Sequence, residues 1–322
     1  MNPPARLGDS DLPRTFQDAD RHAIFFQGRH VRYLKAHVIL GVVGASVAQM
    51  SYSLTGRTFF ALALALCVLA LLVTRVLVQK RPRCERIWCR SRAAAEQVRS
   101  LSWAYMMDAE RSAEGRGFSN GASAADAELA DAIERIRAEW LQAVETPAMP
   151  PAAQLEITER MKAVRAGPHS DKVRLYLDGR VQDQATWYQG KAAFNQKRRR
   201  VFMVLAVLCE LGAAGLAIAM VVHLARPAAG TELEPALKNL LTFVWPCLAG
   251  ATGALGWSNF RRHAELAGTY QRSAEQLAKM EKEMETLAED SAAHRQAFEK
   301  LVRECEELLT RENAIWFTRR TA

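Results

Sequence analysis

One carboxylate, Glu210, stands near the middle of the apolar run VFMVLAVLCELGAAGLAIAMVVHL at residues 201–224. Charge at the centre of a low-dielectric layer is costly, so an acid placed there faces protein or water. Two chemistries fit. Ionised and reached by water, Glu210 is a candidate pore-lining or gating group. Protonated, it hydrogen-bonds a neighbouring helix, with Thr242, Thr252 or Gln49 within the other apolar runs as partners. Cys84 and Cys89 have the spacing of a metal-binding pair, but no second Cys or His pair stands near them. The sequence contains no G-x-x-x-x-G-K-[ST], no H-E-x-x-H and no G-x-S-x-G, and acidic runs such as EKEMETLAED read as solvated helix faces. The expectation is a protein that is not an enzyme and holds no cofactor or metal.

An acid inside an apolar run is only as well placed as the helix that carries it. No proline occurs from Asp171 to Leu224, so one helix can run through TWYQGKAAFNQKRRR into the apolar stretch. That stretch is too long and too uniformly apolar for an ordinary soluble helix. Trp187 and Tyr188, with Lys197, Arg198, Arg199 and Arg200, read as a membrane-interface collar of aromatic belt and headgroup anchors. Three more apolar runs, at 36–54, 59–78 and 237–257, complete two transmembrane hairpins. Gly41 and Gly44 in the first run, and Gly250, Gly253 and Gly256 in the last, form small-residue ridges suited to close helix packing. Pro246 is expected to bend the fourth span.

Orientation follows from basic residues. Arg29, Arg32 and Lys35 precede the first span and Lys80, Arg81, Arg83 and Arg86 follow the second, whereas the link between them has only Arg57. Both termini are therefore expected in the cytoplasm of a multi-pass protein of the bacterial inner membrane.

Composition agrees with this segregation. The mean hydropathy of -0.13 is that of a soluble protein, because four apolar runs are averaged with charged helical sequence. The net charge of +8 is concentrated at the ends of those runs, which favours a lipid bilayer and excludes nucleic acid as the main partner. Six cysteines show no disulfide framework. No cleavable signal is evident in the Pro-rich opening.

The expected organisation is a polar leader at 1–22, a first two-span module with its exit helix at 23–111, a linker with a short helix at 112–152, and a second two-span module with a long C-terminal helix at 153–322. Ser170 is placed to cap the helix after Gly167 and Pro168. In the tail, Leu266, Tyr270, Ser273, Leu277, Met280, Met284 and Leu287 alternate in steps of four and three, continued by Phe298, Leu301, Cys305 and Leu308. This is the seam of a coiled coil, and it turns polar at EDSAAH, residues 289–294. Either one rod or a folded-back helical hairpin fits.

The halves also repeat: FFQGR at 25–29 and WYQGK at 187–191 each place an aromatic pair, Gln, Gly and a base before a span. The second half resembles the DUF4231 family through YLDGRVQDQATWYQGKAAFNQ at 176–196 and the closing ECEELLTRENAIW at 304–316. The first half resembles a sister family through WCRSRAAAEQVRSLSWAYMM at 88–107. Both are identified as members of the SLATT group, SMODS- and SLOG-associating two-transmembrane effector domains. The resemblance implies an all-α membrane protein, a homo-oligomeric pore-forming effector of bacterial conflict or antiphage defence. Its trigger would be a cytoplasmic signalling partner or nucleotide second messenger. It carries over no catalytic residues. The alternative is a membrane-anchored scaffold whose coiled coil recruits a partner.

Overall fold

The computed structural model describes residues 7–54, 62, 65–66, 68–73, 75–76, 81–109, 122–144, 156–225 and 243–321. Among them the chain is helical, with no strand. Residues 112–121 and 145–152 of the expected linker, residues 226–242 between the third and fourth runs and part of the second apolar run lie outside these residues. Two compact units form, each from separated pieces of sequence. The first comprises Met1–Arg29, Arg83–Gly190 and Tyr270–Ala322, and the second His30–Pro82 and Lys191–Thr269.

In the first unit, the entry helices of the two halves bury the same pattern. Helix α1 (Arg14–Leu54) begins well before the expected approach helix, so much of the polar leader is structured. Leu12 and Phe16 lie in the core, and Ala19, Ala23 and His30 continue the buried stripe. Helix α2 (Arg81–Met106) ends in a Schellman turn. Ala109 N–H reaches Ala104 O at 2.9 Å, and Asp108 takes the left-handed backbone at φ 55°. Helix α3 (Ala122–Val144) is joined to α2 through the Trp140 indole N–H, which donates to the Ser91 hydroxyl at 2.9 Å. Helix α4 (Glu159–Arg165) is capped by Thr158, whose hydroxyl accepts from Met161 N–H at 3.2 Å.

Helix α5 (His169–Tyr176) starts one residue before Ser170. Pro168 occupies its N-cap, and no side chain caps it, so the expected serine cap is not made. A π turn, Leu177–Val181, connects α5 to α6 (Gln182–Leu224), giving the continuous helix expected from the absence of proline. Val181, Ala185, Tyr188 and Ala192 are buried along it. They repeat the steps of Ala19, Ala23, Phe26 and His30 in α1. Here the two halves match in packing as well as in sequence.

The tail is a hairpin. Helix α8 (His263–Glu285) stops before the polar stretch, and α9 (Ala292–Thr321) starts after it, with Ser291 Oγ accepting from His294 N–H at 3.1 Å as its cap. Contacts with the entry helix give the directions. Trp187 meets Tyr270 and Gln182 meets Glu281, so α8 runs against α6. His169 meets Phe298 and Arg180 meets Glu306, so α9 runs with it. The predicted seam residues Ser273, Leu277, Met284, Phe298 and Cys305 are all buried, within the chain's own fold.

In the second unit, α6 packs antiparallel to α7 (Val244–Phe260) through reciprocal contacts of cysteine with glycine. A Cβ on Gly250 would lie 3.3 Å from Cys209 Sγ, and one on Gly212 would lie 3.7 Å from Cys247 Sγ. Ala206, Ala251 and Ala254 form the small core there. Pro246 falls in the first described turn of α7, where a missing amide costs no bond within that helix. Of the four runs expected to cross a membrane, only the α5–α6 stretch is a described helix long and apolar enough to do so. The first run is diluted by His37, Ser46, Gln49 and Ser51, and α7 as described is shorter than a bilayer requires.

Candidate functional site

Glu210 points outward. It is exposed on α6 between Leu208 and Leu211, which are 61% and 64% exposed. It makes no hydrogen bond or ion pair among the described residues, and Thr252, one of its candidate partners, is itself exposed. Thr242 and the side chain of Gln49 lie outside the described residues. The acid therefore sits on the face that a single chain offers to lipid, to another protein or to water.

The collar divides into two levels. From Trp187 to Val201 the continuous helix rises roughly 21 Å, whereas the interfacial zone on each side of a bilayer is only about 5–8 Å deep. Trp187 and Tyr188 are therefore too far from the apolar run to form its aromatic belt. Tyr188 is instead buried in the first unit, edge-on to Trp187 at 5.1 Å and tilted on Tyr270 at 5.7 Å. Phe25 and Phe26 repeat the edge-to-face pair at 5.2 Å. Lys197, Arg198, Arg199 and Arg200 are exposed just before the apolar run, and Arg198 lies over the Phe194 ring at 5.2 Å.

The glycines divide as well. Gly250 lies on Cys209, and Gly253 lets Val42 of α1 approach so closely that a Cβ would fall 2.7 Å from its methyl. Gly44 is buried, whereas Gly41 and Gly256 face open space.

Composition and periodicity gave no signal of a charged clasp in the first unit. Arg180, 1% exposed and carried by the π turn, pairs bidentately with Glu306: Nε donates to Oε1 at 2.9 Å and Nη2 to Oε2 at 2.7 Å. The Tyr176 hydroxyl donates to the same Oε1 at 2.9 Å. Gly179 in the π turn lies under Trp103, where a Cβ would come within 3.3 Å of the ring. The third Arg180 nitrogen, Nη1, is buried without a hydrogen-bond partner among the described residues.

Burial alone would lower the Arg180 pKa, but the charge and hydrogen bonds of Glu306 outweigh it and raise it above the ordinary guanidinium value. Burial, and then the neighbouring Cys305 and Glu306, hold the Tyr176 phenol well above its usual range. The Cys305 thiol is pushed up to about 12 by burial and then by Glu306. Neither group is a nucleophile near neutral pH. The clasp is chemistry for holding. Tyr176 and Arg180 lie in one of the stretches that carry the family resemblance, and Glu306 in the other. In α9 the acid stands directly beside Cys305 on the apolar seam, the one place where its burial left a trace.

A cleft of about 210 Å³ opens beside the tail turn, lined by Asp108, His169, Lys172, Asp290, Arg295 and Glu299. Its lysine and arginine are engaged, Lys172 with Asp108 and Arg295 with Asp290, and His169 Nε2 lies 2.9 Å from Leu287 O.

An all-helical, membrane-associated protein of two related halves is the class that this fold and its outward acid define. The chain belongs to the SLATT family: residues 13–174 match SMODS and SLOG-associating 2TM effector domain 3, and residues 176–316 match SMODS and SLOG-associating 2TM effector domain 1. Such domains are two-transmembrane effectors associated with conflict and defence systems. No curated protein and no solved structure matches the chain.

Proposed function

We propose that the chain is a homo-oligomeric effector of the bacterial inner membrane that forms or gates a pore. In this reading it crosses the bilayer four times with both termini cytoplasmic, acts without catalysis, and responds to a cytoplasmic partner or nucleotide second messenger. The observation that carries it is Glu210, an acid exposed on the lipid-length helix with no hydrogen bond or ion pair among the described residues. Such an acid needs protein or water around it. Copies arranged about a water-filled axis supply both.

The scaffold alternative loses much of its support, because the seam that would recruit a partner helix is consumed by the chain's own α5–α6 and hairpin packing. Ion flux from purified protein in liposomes tests the pore reading. Flux that falls in Glu210→Gln supports it. No flux with any candidate ligand, together with a partner that co-purifies through the tail, overturns it.

A further inference from the structure

We propose that Arg99, Trp103 and Arg180 form a buried site for a chloride-sized monovalent anion, between α2 and the π turn of the first unit. Each brings an N–H that is buried and has no hydrogen-bond partner among the described residues: Nε of Arg99, Nε1 of Trp103 and Nη1 of Arg180. Buried polar groups are ordinarily paired, and a buried indole N–H usually finds an acceptor. Trp103 is only 2% exposed, so bulk water does not serve it.

The three donors belong to one place. Arg99 and Trp103 stand one turn apart on the same face of α2. The Trp103 ring lies on the π turn: a Cβ on Gly179 would be 3.3 Å from Cη2 and 3.8 Å from Cζ2, two bonds from the indole nitrogen. Arg180 is the next residue, and Tyr176, which shares Glu306 with it, meets the Trp103 ring edge-on at 5.6 Å. Arg99 feels the charge of Arg180: burial, and then Arg180, lower its pKa below the ordinary guanidinium value.

Chemistry selects the occupant. The buried carboxylates nearby are engaged, Glu306 with Arg180 and Tyr176, and Glu96 with Arg92. The ion-pair partner of Arg99 among the described residues is the exposed Asp9, 3.9 Å from Nη2. A water molecule accepts at most two hydrogen bonds and needs acceptors for its own protons, a poor match to three donors. A dianion such as phosphate would bring more charge than Arg99 offsets and leave oxygens bare. A monovalent anion accepts from all three and offsets the charge that Arg99 and Arg180 direct at each other. Because its donors come from both matched domains, the ion ties the first half to the entry helix of the second.

Full-length protein in dodecyl maltoside is taken from sodium gluconate to sodium chloride at one ionic strength, while calorimetry follows unfolding. A bound ion stabilises with the logarithm of its concentration, so the midpoint is expected to rise by about 3 °C per tenfold chloride above the dissociation constant. Bromide is expected to act alike. Trp103→Phe deletes the N–H and Arg99→Met deletes the charge, and each is expected to shift the response to chloride concentrations about tenfold higher or more. Should one fail to fold, the other is read in its place. Broadening of the chloride NMR line by the parent protein, reversed by bromide, is expected as well and needs no variant.

A midpoint indifferent to chloride, or a chloride line that the parent leaves sharp, overturns the site. So does a chloride response that both variants keep, which would place the ion elsewhere, as on the exposed basic cluster at 197–200. Conduction is not read, so each of these results leaves the pore reading standing.

Discussion

Arg180 and Glu306 bury opposite charges at 1% and 5% exposure, so each is stable only in the other's company. Arg180→Met or Glu306→Leu alone should cost about 3–5 kcal/mol, because the remaining charge is stranded. The double variant with Tyr176→Phe, which removes the hydroxyl left without its acceptor, should recover most of that loss. Denaturant unfolding of the set in one detergent checks the non-additivity. His263 offers a pH counterpart. Asn195 donates through Nδ2 to Lys191 O, so its Oδ1 accepts from His263 Nδ1 at 2.7 Å, while Phe202 stacks on the ring. Burial, and then Arg261 and Arg198, lower the His263 pKa below 6.5. With the folded value depressed, its stabilising contribution is present above 6.5 and is lost as pH falls through the folded value. Melting temperatures taken from pH ~7 to ~5 should fall more steeply for the parent than for His263→Gln.

Glu210 was legible because an acid in an apolar run has no bland background to hide in. Arg180 and Glu306 were not, since in charged helices a buried ion and a solvated one have the same letters. Only the three-dimensional fold brings residues 126 positions apart into one pair. The aromatic collar misled for another reason. Sequence order placed Trp187 and Tyr188 before a basic cluster and a span, but the helical rise of the intervening residues separates them from that span, and Tyr188 is buried in the first unit.

Among elements, the long helix was readable from its missing prolines, and the tail seam from its steps of four and three. A seam does not say whose helix fills it. The return of α9 along α6 emerged only from contacts such as His169 with Phe298. The glycines sharpen the same lesson, because Gly253 and Gly256 look alike in sequence while one meets Val42 and the other meets nothing. Gly253→Ala should therefore cost about 1–3 kcal/mol through overpacking, or force α1 away, whereas Gly256→Ala should be close to neutral. Thermal unfolding of the two variants in detergent separates them. Equal losses would show that α1 does not pack on that ridge.

At the scale of the whole chain, two matched domains, each of the two-transmembrane type, cover nearly all of the sequence, while one described helix meets the length and apolarity that a bilayer demands. The repeat decides what the remaining runs should do. Each half presents an entry helix with the same buried stripe and the same edge-to-face aromatic pair, so both halves should enter the membrane from one side. With native cysteines replaced, single cysteines at Arg57 and Ala229 should react with a membrane-impermeant maleimide only from outside the cell. Those at Lys197 and Lys279 should react only in inverted vesicles. Arg57 labelling from the inside would mean that the first apolar run, with its His37 and Gln49, lies on the membrane or packs on protein without crossing. The same result at Ala229 would put both ends of the α6 apolar run on one side and deny the crossing on which the outward Glu210 depends.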